Sequence, residues 1–161
     1  MIVDFNLLDD SSRVWIFQSD KIISDDNIDL IKSELKIFLQ GWSSHGKELK
    51  CSFEIKFNLF IIIGVDSSVN NTSGCSIDNL TNFIFDIQTK TNLNFFNRLA
   101  IAYKSNDKIY INSMSKIKEM IKTNEFFSNT IVYNNLVKTK KEYIDTWETL
   151  AINSWHKNLF I

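Results

Sequence analysis

The chain has no proline, and its 161 residues include only four glycines and two cysteines. Two cysteines, Cys51 and Cys75, form neither a disulfide framework nor a CxxC pair, so a reduced, cytoplasmic setting is expected. No long apolar run is present. The longest, "LFIIIGV" at 59–65, is far too short to span a bilayer. Charge of one sign is also lacking: the formal net charge is −1 and the pI about 6.1, so no global basic footprint for nucleic acid exists. The opening "MIVDFNLLDDSS" is acidic and lacks a basic n-region, which argues against a signal peptide. No repeat, linker or low-complexity segment divides the chain. The length suggests one domain, 1–161, able to bury its own core without staples.

What is present is hydrophobic periodicity. "RVWIFQS" is β-branched and aromatic and reads as a strand over 13–18. Ser24 is placed to cap a helix over 24–42, with Asp25 and Asp26 in its first turn. Ile28, Ile31, Leu35, Phe38, Leu39 and Trp42 form its apolar face. "WSSHGKE" then reads as a loop. Residues 49–56 alternate as a half-buried strand, and 59–65 is continuously apolar, as expected of a central strand covered on both faces. Ser76 is expected to cap a second helix, 76–90, after the loop "DSSVNNTSGC". Residues 98–105 and 108–113 read as strands turning at Asn106-Asp107, and 115–123 as a short helix. Residues 129–137 are extended. Thr139 and Glu142 form a capping box that opens a last helix through Trp147. On that helix Tyr143, Ile144 and Trp147 are expected to be buried, with Lys138, Lys140 and Lys141 solvated.

Strand, helix, strand, strand, helix, strand is the ferredoxin-like βαββαβ order. The expectation is therefore an α+β fold: one antiparallel sheet of 13–18, 49–56, 59–65 and 98–104, with both helices on one face. The core spans about 13–105, and 106–161 is a C-terminal strand and helix extension. That topology brings "WSSHG" and "VDSSVNNTSGCS" to the same end, so His45, Asp66 and Cys75 converge there. Arg98 falls at the opposite end.

Three chemistries compete for that end. A P-loop needs GxxxxGK followed by Ser or Thr. Here Cys75 stands in the lysine position and Val69 in that of the first glycine, so ATP hydrolysis is not expected. A cysteine beside a helix N-terminus is a candidate nucleophile, with His45 as its base and Asp66 orienting the imidazole. Gly74, Ser76, Asp78, Trp42 and Gly46 would then be ligand-binding neighbours, with Gly74 allowing a backbone conformation that a Cβ resists. His45, Cys51, Cys75 and His156 lack metal-ligand spacing, so no metal is expected. The lysines and aromatics of the C-terminal segment offer RNA stacking as a further alternative.

"RVWIFQS", "GWSSHG", "GCSID", "FFNR", "TIVYNNLV" and "SWH", in this order, resemble a family of short bacterial proteins labelled ABC transporter ATPase. The resemblance runs from Arg13 to His156. Its motifs fall on Arg13, Trp15, Trp42, His45, Gly46, Gly74, Cys75, Ser76, Asp78, Arg98, Asn134, Asn135, Trp155 and His156. The label implies ATP binding, but this chain has no Walker A, no LSGGQ-type signature and no paired acids after an apolar strand. The leading reading is a small cytoplasmic binding or adaptor domain without cofactors. A protein or small-molecule partner is favoured over nucleic acid, and no membrane span is expected. The alternative is a cysteine-dependent enzyme using Cys75 with His45.

Overall fold

The computed structural model describes residues 1–161. The elements run β1 (Arg13–Gln18), α1 (Asp25–Gln40), β2 (Ser43–Ser44), β3 (Lys47–Glu48), β4 (Cys51–Lys56), β5 (Phe60–Val65), α2 (Gly74–Thr91), β6 (Ala100–Ser105), β7 (Lys108–Ser113), α3 (Met114–Lys122), β8 (Ile131–Tyr133), α4 (Lys140–Thr146) and β9 (Glu148–Leu150). Short 3-10 segments precede β1 and close the chain. The fold is mixed α+β with antiparallel sheets. No helix is long and apolar enough to cross a membrane.

The strand order does not confirm the ferredoxin-like arrangement. The first sheet is β1-β5-β4, while β6 belongs to a second sheet, β7-β6-β8-β9. Both edges of β6 are occupied there, by β7 and β8. The outer edge of β1 is met instead by the chain near 138: Val14 N–H donates to Lys138 O at 2.9 Å, and Arg13 bridges Thr139. The boundary expected at 105/106 thus falls in the β6–β7 turn. "WSSHGKE" is not a plain loop, because β2 and β3 pair within it as a hairpin.

The pleat sorts the core. On one face of β5, Ile61, Ile63 and Val65 meet Ile31, Leu35 and Leu39 of α1 and Leu80, Ile84 and Ile87 of α2. Both long helices therefore cover the same face of the first sheet. On the other face, Phe60 and Ile62 meet Ala102 and Tyr133 of the second sheet, together with Tyr143 and Trp147. A third cluster lies beyond, between the second sheet and α3 with the C-terminal 3-10 turns. The result is helices, sheet, sheet, helices, with β5 buried along its whole length.

Local chemistry explains the element ends. Ser24 Oγ accepts from Asn27 N–H, with Asp25 and Asp26 in the first turn of α1. For α2 the cap is Ser73, not Ser76: Ser73 Oγ accepts from Ser76 N–H at 3.1 Å, and Ser76 Oγ accepts from Ser73 N–H at 2.7 Å. The two serines form a reciprocal capping box, and the helix begins three residues earlier than expected. Ser73→Ala should therefore lower stability by about 1 kcal/mol, read as a drop in the urea midpoint with unchanged slope.

All three hairpin turns have positive φ at both central residues: His45 and Gly46, Phe57 and Asn58, Asn106 and Asp107. That backbone twist matches paired strands. Phe57 is the costly member, since a side chain in this region is disfavoured by about 1–2 kcal/mol. Its ring stacks on Trp147 at 6.1 Å and 12°, which holds the strained turn against the second sheet.

Two expectations for α4 need correction. Lys140 is buried, not solvated, and its Nζ donates to Leu8 O at 2.6 Å and Asn6 O at 3.1 Å. It clasps the N-terminal arm, which crosses β5 where Gly64 leaves room. A Cβ at Gly64 would meet Leu8 Cδ1 at 2.6 Å. Ile144 is exposed, whereas Tyr143 and Trp147 are buried.

Candidate functional site

The expected site end is held together by structural bonds. Trp42 is buried and its indole N–H donates to Ser76 O at 2.9 Å, tying the end of α1 to the first turn of α2. Asn70 Nδ2 donates to Ser44 O and Lys47 O, pinning the following loop to the β2–β3 hairpin. Asp66 is occupied: Ser68 Oγ donates to it at 2.6 Å and Lys50 Nζ at 3.0 Å. The Ser68 hydroxyl and the Lys50 ammonium hold its carboxyl below the usual carboxylate range.

The structure brings His45, Asp66 and Cys75 to one end of the first sheet, but no hydrogen bond links them. His45 is an exposed turn residue, beside Gly46 at φ +74°. Cys75 is exposed at the second position of α2. Cys51 is buried, and burial pushes its thiol up to about 11, so it stays protonated. Gly74 is the first residue of α2, and a Cβ there would meet nothing within 4 Å, so no special backbone demand explains it. Asp78 is exposed in the second turn of α2. No group of three or more His, Cys, Asp or Glu is arranged to hold a metal ion.

A second site lies at the opposite end of β1. There the open edge of β1 and the start of β6 diverge, leaving a cleft of about 440 Å³. Its walls come from five stretches: residues 16–18, 95–98 and 100–102, then Tyr133 with Asn135 and Leu136, and Trp155-His156. Arg98, Asn135, Trp155 and His156, drawn from three separate motifs of the sequence, meet in it.

A chain of amides spans the cleft floor. Trp147 Nε1–H donates to Asn135 Oδ1 at 3.0 Å, Asn135 Nδ2 donates to Gln18 Oε1 at 2.9 Å, and Gln18 Nε2 donates to Ala100 O at 3.1 Å. The orientation is unambiguous, because an indole can only donate and a carbonyl can only accept. Each amide nitrogen keeps a second N–H without a protein partner. The relay joins β1 to β6 across the gap that a ferredoxin-like sheet would have closed with backbone pairing.

His156 is buried in the wall, only 2% exposed. Ser154 caps the last 3-10 turn, and its Oγ lies 2.6 Å from His156 Nδ1 but 3.4 Å from Ala151 O. Nδ1 is engaged with Ser154 in either tautomer of the neutral ring. Nε2 has no partner in the protein. Burial pushes the imidazole down to about 4, so the ring is neutral near pH 7. Trp155 stacks on it at 4.0 Å.

Arg98 stands exposed on the same cleft and forms no ion pair. Phe17 and Phe96 meet edge to face at 6.1 Å on its rim, and Phe96 stacks on Phe85 at 4.4 Å. Sequence reading placed Arg98 at this end but missed Gln18 and the aromatic walls. The one local signal was a glutamine closing the apolar run Val14–Phe17. Comparison with protein-family models, with curated proteins and with solved structures gives no match.

Proposed function

We propose that this chain is a binding domain whose site is the cleft between the two sheets, and that it takes a small ligand with an apolar, planar body. The observation that carries this is His156: the residue is only 2% exposed, yet its Nε2 has no protein partner and stays accessible in a cleft with largely apolar walls. Apolar walls with a few convergent polar groups, in a volume of this size, are what small-molecule sites have. The loop end offers less, because Asp66 is occupied and Ser76 is used in a cap. Cys75 in place of a P-loop lysine is why MgATP is not the ligand of this reading.

The test is NMR titration of the full chain with 2-naphthamide, a neutral planar probe. Shifts should concentrate on the side-chain amides of Gln18 and Asn135 and on the Trp155 indole. Shifts confined to residues 66–76, or none at millimolar probe, would overturn the reading.

A further inference from the structure

We propose that the ligand of this cleft is a small organic anion, a planar aromatic body bearing a carboxylate, with Arg98 as its counter-charge. This rests on the cleft being the binding site. It follows from the polarity of the cleft. No aspartate, glutamate or lysine lines it, so Arg98 is its only charged side chain. That guanidinium has no carboxylate partner within the protein.

The free polar functions of the side chains include donors from both amides beside the Arg98 guanidinium. Gln18 Oε1 and Asn135 Oδ1 already accept bonds, while each amide nitrogen keeps one N–H free. The Tyr133 hydroxyl is committed to Glu148 at 2.9 Å. His156 Nδ1 is committed to Ser154, which leaves Nε2 free to meet a ligand. A cationic ligand would face Arg98 with nothing to offset it. A neutral hydrocarbon would leave the donors unpaired. An acceptor-rich, negatively charged group is the chemistry that completes them, and charge-assisted bonds are the stronger kind. The aromatic faces of Phe17, Phe96 and Trp155 suit a planar body.

The experiment is calorimetry at pH 7 with 2-naphthoate and its neutral isostere 2-naphthamide. The wild-type chain is compared with Arg98→Gln and with Arg13→Gln, an arginine outside the cleft that lies over Trp15. Arg98 is exposed, so its variant keeps the fold, which circular dichroism checks. Naphthoate should bind at least about tenfold tighter than naphthamide, since a charge-assisted bond is worth that factor or more. Arg98→Gln should collapse the ratio while leaving naphthamide binding intact, and Arg13→Gln should leave both unchanged. Equal affinities, or a ratio that survives Arg98→Gln, would overturn the anion assignment while naphthamide binding keeps the cleft reading. If neither probe binds at millimolar concentration, both readings fall.

Discussion

Phe60→Ala should lower the unfolding free energy by about 3–5 kcal/mol, measured by urea denaturation at pH 7. Phe60 is fully buried at the start of β5, on the face opposite the long helices. Its ring centroid lies 5.0 Å from that of Tyr133 and 4.9 Å from that of Trp147, and those two lie 4.9 Å from each other. One residue belongs to the first sheet and the other two come from the chain of the second. The cluster is therefore the apolar contact that joins the sheets, and truncation leaves a cavity at the joint rather than at an edge. Trp147 also begins the amide relay to Asn135 and Gln18, so the cleft should loosen along with the core. Phe60→Leu, which keeps much of the volume, should cost clearly less. A loss under about 1 kcal/mol for Phe60→Ala, far below the usual cost of such a truncation, would show that the sheets are not coupled through this cluster.

Acidification should destabilise the protein well before its carboxylates are protonated. The His156 imidazole is held at about 4 in the folded chain, against an ordinary value of 6.5. Between these values the unfolded chain binds a proton that the folded chain does not. Stability is therefore complete above about pH 6.5 and falls progressively as the pH drops towards 4. The full effect is about 3 kcal/mol, at 1.36 kcal/mol for each unit of displacement. Asp66 acts in a separate, lower window: its carboxyl lies below the ordinary 3.8, so its contribution is lost only as the pH falls below that value. His45, the one other histidine, is an exposed turn residue. Unfolding free energies measured from pH 7 to 4 should show the fall, and His156→Gln should flatten it. A wild-type profile that is level across this range would refute the assignment.

The local elements were legible in the amino-acid order because each rests on interactions between near neighbours. Residues 51–56 form a strand as expected, but one buried at both Cys51 and Ser52 and half-buried beyond, without alternation in burial. The continuous apolar run ending at Val65 and the helical spacing of Ile28, Ile31, Leu35 and Leu39 survive in the folded chain. So does Thr139 as the cap of α4, its Oγ accepting from Glu142 N–H, although Glu142 reaches back to Lys138 N–H rather than to Thr139. The cap of α2 was harder, because Ser73 and Ser76 are both suited to the position. The loop before them is pinned by Asn70 to the distant β2–β3 hairpin, a contact that no local pattern reports.

Sheet membership, the burial of Lys140 and the cleft were decided only in three dimensions. An apolar strand such as Ala100–Ser105 presents the same backbone groups to any edge, so nothing in its own residues says whether β1 or β8 will take it. Lys140 carries an ordinary surface residue's side chain. It is buried because the carbonyls of Asn6 and Leu8, more than 130 positions away, arrive within reach of its ammonium. The cleft follows from the same pairing choice. With β6 committed to the second sheet, part of the edge of β1 stays open, and Gln18, Arg98, Asn135 and His156 are left around the gap. Periodicity reports which face of an element is apolar. Which surface that face meets is set by contacts between residues far apart in the chain, and those exist only once the chain has folded.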